Sequence, residues 1–136
     1  MSIGVKRNQY GGSGELNFSN VFNGTDGLNE NLTQTGFNIS GTPKVLQITA
    51  NSSGGSIIGI DFTDYKTMVV EAQPYGQALQ YRIPNVVNYT SIIAAGGRYT
   101  ASVDITSVTG VHPLELVMAI QGVSNYCNIF SIVLSK

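Results

Sequence analysis

The chain has no tryptophan, one cysteine and one histidine in 136 residues, and only 11% of it is charged. Most of these scarcities remove a class of function. Cys127 alone cannot form an internal disulfide, and its apolar surroundings, "YCNIFSIVL", read as a buried inert thiol rather than an activated nucleophile. His112 alone, followed by Pro113, reads as a solvent-facing turn residue. No G-x-S-x-G elbow surrounds any serine, and no clustered His/Cys set could hold zinc. The seven basic residues are scattered and the net charge is -1, which excludes recognition of nucleic acid by phosphate neutralisation. No apolar run is long enough for a membrane-spanning helix, so no membrane partner is expected. "MSIGVKRNQYGGSGELNF" lacks the apolar centre of a signal peptide, so the expected place of synthesis is a cytoplasm. No Gly-rich loop leads into a helical pattern, which removes phosphate cradles and any nucleotide cofactor held by one.

What is present in quantity is Gly, Asn, Ser and Thr, so amides and hydroxyls supply the polarity that charge supplies elsewhere. The length fits one domain with a real core. Residues 1–14, ending in "YGGSG", read as an N-terminal arm or linker, and residues 15–136 as a single domain. From Glu15 to Gly41 turn signals cut the chain into short apolar pieces, which predicts short irregular strands. Asp26, Asn29, Glu30 and Asn31 gather oxygen ligands in the 24–31 turn, but without the alternating spacing of a calcium loop, and they read as a surface turn. The Asn-x-Ser/Thr triplets at Asn17, Asn23, Asn31, Asn38, Asn51 and Asn88 read as a product of composition.

From Pro43 onward apolar and polar residues alternate with period 2. Leu46, Ile48 and Ala50 share one parity, as do Met68, Val70 and Ala72, then Leu79, Tyr81 and Ile83. Tyr99, Ala101, Val103 and Ile105 follow, then Leu114, Leu116, Met118 and Ile120. Gly/Pro/Asn/Ser clusters separate these runs at strand length, and no window holds apolar residues at helical spacing over three turns. The fold class read from this pattern is all-β, an antiparallel sandwich or barrel rather than β-α-β units. The last run, Tyr126 to Leu134, is apolar on both parities at its end and is expected to lie centrally in its sheet.

Two stretches echo each other: "IDFTDYK" from Ile60 to Lys66 and "VDITSVTG" from Val103 to Gly110. In each, two apolar residues flank an outward Asp, and the next polar pair can bond its own backbone to turn the chain. An apolar or aromatic residue, Tyr65 in the first copy and Val108 in the second, then folds back. Asp61 and Asp104 are therefore read as turn-holding residues rather than catalytic ones. These corners, with "LELVMAIQG" and "CNIFSIVLSK", resemble the carbohydrate-binding-module-like jelly-roll domains of bacteriophage tail, baseplate and other virion proteins. The resemblance covers somewhat more than half of the chain. It implies a jelly-roll sandwich on a virion surface, made in the host cytoplasm, with host-surface saccharide as partner. The arm would attach to other virion proteins, and a homo-oligomer is expected. Such modules often carry tryptophan on the binding face; here tyrosine would have to serve.

Three functional classes follow. A saccharide-binding face needs amides, an Arg, a carboxylate and aromatic plates, and the polar parity offers Glu71, Gln73, Gln80, Arg82, Glu115 and Gln121. Tyr75 and Tyr89, read as loop residues, would be the plates. Alternatively the same face packs on other proteins, making the chain a capsid or tail decoration protein. A remote third class is a small glycoside hydrolase, which would require Glu71 and Glu115 to face one cleft.

Overall fold

The computed structural model describes residues 15–18, 33–41, 45–49, 54–119 and 126–136. The expected arm, the 24–31 turn, Ile120 and Gln121 lie outside these residues. Among the described residues there is no helix, so none is long and apolar enough to cross a membrane. The strands are β1 (Glu15–Asn17), β2 (Thr33–Thr35), β3 (Asn38–Ser40), β4 (Val45–Ile48), β5 (Gly55–Asp61) and β6 (Thr67–Tyr75). They continue as β7 (Leu79–Ile83), β8 (Val87–Ile93), β9 (Tyr99–Asp104), β10 (Val111–Met118) and β11 (Tyr126–Ser135).

They form two antiparallel sheets facing each other in a jelly-roll-like sandwich. The first has the order β3-β4-β11-β6-β9, with β1 also paired to β11; the second has the order β2-β5-β10-β7-β8. Period-2 burial explains the layering. Along β6 every second residue from Met68 to Pro74 is buried and the residues between are half-buried. Leu79, Tyr81 and Ile83 of β7 and Leu114, Leu116 and Met118 of β10 point into the same core. β11 runs between β4 and β6, as its apolar end implied, and buries Cys127, Ile129, Ile132 and Leu134. The shift from odd to even parity along β11 follows from a bulge between Ile129 and Ser131, where Phe130 is the extra residue.

The echoed corners have the same geometry. In the first, Asp61 Oδ1 accepts the Thr63 N–H at 3.0 Å, and the Tyr65 N–H donates to the Phe62 carbonyl at 3.0 Å. In the second, Asp104 Oδ1 accepts the Thr106 N–H at 2.9 Å, and the Val108 N–H donates to the Ile105 carbonyl at 3.0 Å. The corners also brace each other and the sheets. Phe62 N–H donates to the Gly110 carbonyl at 2.9 Å, Gly110 N–H to Thr63 Oγ1 at 2.9 Å, and Ile105 N–H to the Lys66 carbonyl at 2.8 Å. Lys66 N–H donates to the Ser135 carbonyl at 2.8 Å. Phe62 and Ile105 are buried, and Tyr65 packs against the core as a plug. Hydrogen bonds from the Thr63 and Thr106 hydroxyls, then from their backbone N–H groups, hold the Asp61 and Asp104 carboxyls below the usual aspartate range. Both Asp side chains are structural.

The structure corrects several sequence expectations. His112 is no turn residue: it lies in β10, half-buried, with its ring 6.3 Å from that of Phe62 and Nε2 2.8 Å from the Thr109 carbonyl. Pro74 and Pro113 lie inside strands rather than at breaks, so Tyr75 ends β6 instead of occupying a loop. The pair Gly54-Gly55 is needed for clearance as much as for turning. A Cβ on Gly54 would stand 2.4 Å from Val117 Cγ1, and one on Gly55 would stand 2.5 Å from the Phe37 ring.

Candidate functional site

The seven residues read as a single saccharide face fall on two. Glu71, Gln73 and Tyr75 lie on β6 and point out of the first sheet. Gln80 and Arg82 of β7, Tyr89 of β8 and Glu115 of β10 belong to the second sheet. Glu71 and Glu115 face away from each other across a core about 10 Å thick. That separation exceeds what a glycosidase pair flanking one bond requires, about 5 to 9.5 Å, so the hydrolase geometry is absent. Tyr89 is a strand residue, not a loop residue.

On the first sheet the register assembles a polar platform. Asn38, Gln47, Asn128 and Gln73 pair in sequence across β3, β4, β11 and β6, with Gln47 Nε2 donating to Asn128 Oδ1 at 2.8 Å. Four strands at the usual spacing make this amide row about 14 Å long. One step along the strands, Tyr75 and Tyr126 pair across β6 and β11, their rings stacked 4.3 Å apart at 18°. On the other side of the row, Arg98 Nε lies 2.6 Å from Glu71 Oε2, and its guanidinium covers the Phe130 ring at 3.7 Å. The loop carrying Arg98 is pinned by the Gly96 N–H donating to the Pro74 carbonyl at 3.1 Å. Sequence reasoning found three members of this platform, Glu71, Gln73 and Tyr75, and missed Asn38, Gln47, Arg98, Tyr126, Asn128 and Phe130. The outward parity of Tyr126 and Asn128 against buried Cys127 and Ile129 was the available signal.

On the second sheet, Gln80, Arg82, Tyr89 and Glu115 do converge. Arg82 Nη1 donates to the Tyr89 hydroxyl at 3.0 Å, and Arg82 Nε lies 3.2 Å from Glu115 Oε1. That Nε is buried and has no hydrogen bond of adequate angle, so the Glu115 contact is Coulombic rather than directional. Among the described residues no group of three or more His, Cys, Asp or Glu side chains gathers to hold a metal ion. Burial alone pushes the Cys127 thiol up to about 12, consistent with the inert reading.

No protein-family model matches the chain, and no curated protein matches it in sequence. Solved structures do match in fold. A family 29 carbohydrate-binding module, in a variant complexed with mannohexaose, superposes with a TM-score of 0.58 at 12% identity, over 79% of this chain and 83% of its own. A family 6 carbohydrate-binding module from Clostridium cellulolyticum, in complex with xylose, gives 0.51 at 19% identity, over 76% and 90%. A family two carbohydrate esterase from Cellvibrio japonicus gives 0.55 at 17% identity; the match covers 79% of this chain but only 31% of the esterase. At these identities the likeness defines a carbohydrate-binding-module-like β-sandwich, and no more than the fold.

Proposed function

We propose that this chain is a non-catalytic saccharide-binding module whose principal site is the outer face of the first sheet. The observation that carries this reading is the amide row Asn38, Gln47, Asn128 and Gln73, flanked by the stacked Tyr75 and Tyr126. Planar amides both donate to and accept from sugar hydroxyls, while tyrosine rings take the apolar faces of pyranose rings at low entropic cost. The row crosses four strands, which suits the interior of an extended chain. The Arg98–Glu71 pair cancels its own charge, so the surface favours neutral glycans. The likeness in fold to modules solved with mannohexaose and xylose supports the ligand class. Opposed placement of Glu71 and Glu115, and engagement of His112 Nε2 by the Thr109 carbonyl, support the absence of catalysis.

The corner motifs further support a place on a bacteriophage virion surface, where the module recognises host-surface saccharide and residues 1–14 attach it to neighbouring virion proteins. The test is sedimentation of the purified chain with candidate host cells and their wall polysaccharides, beside Gln73→Ala and Asn128→Ala variants. Saturable binding lost in both variants is expected. A folded chain that binds nothing across a broad panel overturns the reading and favours decoration of a particle by protein contacts. The virion part is tested separately by particle attachment of a chain lacking residues 1–14, which is expected to be lost.

A further inference from the structure

The second sheet holds a feature that the platform does not explain. Where β7, β8 and the end of β10 meet, an open depression of about 300 Å³ is lined by Gln80, Tyr89, Val117, Met118 and Ala119. This is at the small end of ligand-site sizes. Val117 and Met118 beneath it are nearly fully buried, Met118 as part of the core, and the Ala119 N–H donating to the Ala78 carbonyl at 2.9 Å ties the end of β10 to the start of β7. Tyr89 is 49% exposed yet fixed: Arg82 holds its hydroxyl at 3.0 Å and lies 4.9 Å from its ring centroid. Arg82 is in turn neutralised by Glu115, so the site presents a rigid plate and an amide without net charge.

We propose that this depression is a second saccharide site, which takes a single uncharged sugar residue such as a chain end, and that the module thereby bridges two glycans. A row across four strands suits the middle of a chain, whereas a small concavity with one plate suits one ring. The two sites open on opposite faces with the core between them, so one glycan segment cannot fill both. The proposal shares the saccharide chemistry assigned to the first face but none of its residues, so the two can fail separately.

The experiment is an amide chemical-shift titration of the isotopically labelled full chain with methyl glycosides of glucose, galactose, mannose and N-acetylglucosamine. At least one glycoside is expected to move the Gln80, Tyr89 and Ala119 amides while leaving Gln73 and Asn128 in place. Tyr89→Ala should weaken that binding about tenfold, and Tyr126→Ala should leave it unchanged. Tyr89 is exposed, so its loss is not expected to unfold the chain, and Tyr89→Phe retains the plate and most of the affinity. Shifts confined to the first face, or no shifts up to the solubility limit, overturn the proposal whatever the first face does. Clustering of polysaccharide-coated beads by wild type but not by Tyr89→Ala supports bridging; clustering by both refutes it.

Discussion

Tyr126→Ala separates the platform's role in the fold from its role in binding. Its ring stacks on Tyr75 at 4.3 Å, an arrangement worth about 0.5 to 1.5 kcal/mol beyond area burial. Tyr126 is 37% exposed, so the area term against alanine adds only about 1 to 2 kcal/mol. Because the side chain is exposed, water fills the space its loss leaves, and no cavity penalty follows. A total of about 1.5 to 3.5 kcal/mol is below the roughly 5 to 15 kcal/mol that holds an ordinary domain together. For 136 residues it lowers the melting temperature by roughly 5 to 18 °C. Binding should suffer as well. A sugar ring laid on the pair loses a contact worth about 1 to 2 kcal/mol, and Tyr75 loses the neighbour that keeps it in place, so affinity should fall about tenfold or more. Calorimetric unfolding gives the first quantity, and titration with any polysaccharide the wild-type chain binds gives the second. Tyr126→Phe should match wild type in both. If folded Tyr126→Ala binds within about twofold of wild type, the platform is not the binding face.

Phe62→Ala empties a fully buried position where the first corner meets the core and should cost about 3 to 5 kcal/mol in chemical denaturation. Thr63→Val, which removes both the exposed acceptor for the Gly110 N–H and the hydroxyl that donates to the Asp61 carboxylate, should cost about 1 to 2 kcal/mol, and a cost equal to that of Phe62→Ala would show that the ring does not anchor the corner. Because Asp61 and Asp104 have folded-state pKa values below the usual 3.8, their stabilisation is complete above that value and is lost as pH falls through the lower folded values. The double variant Asp61→Asn, Asp104→Asn should therefore show a flatter acid limb in melting temperature, and an unchanged limb would show that the turn bonds do not need the charge. Cys127, with its thiol pushed to about 12 by burial, should resist a thiol reagent at pH 8 in the native chain and react once on unfolding. Full labelling of the folded chain would contradict that burial.

Inside and outside were legible in the sequence; which sheet was not. Alternation in β6, β7 and β10 identified Met68, Val70, Leu79, Ile83, Leu114 and Leu116 as core because burial of one face imposes period 2 on a strand. The same rule failed on β8, whose residues from Asn88 to Ser91 are all exposed at a sheet edge and leave no alternation to read. Pro74 concealed the end of β6, and with it the fact that Tyr75 continues the outward parity of Glu71 and Gln73. The echoed corners were legible because an Asp two residues before an N–H donor is local chemistry, needing no partner from elsewhere in the chain.

Sheet membership depends instead on contacts between residues far apart in sequence. β6 and β7 are joined by only three residues, Gly76 to Ala78, yet they belong to opposite sheets, while β6 pairs with β11 and β9. A crossing that short inverts the meaning of polar parity: outward on β6 and outward on β7 are opposite sides of the molecule. Residues that look like one recognition surface in the sequence therefore become two, and the bracing bonds between Phe62 and Gly110, and between Ile105 and Lys66, fix the corners through backbone atoms without engaging the side chains of either outer face. A fold stabilised at its corners and core can vary the chemistry of each face independently. That independence is why loss of Tyr126 and loss of Tyr89 should produce separable defects, and why their double variant should lose both functions additively.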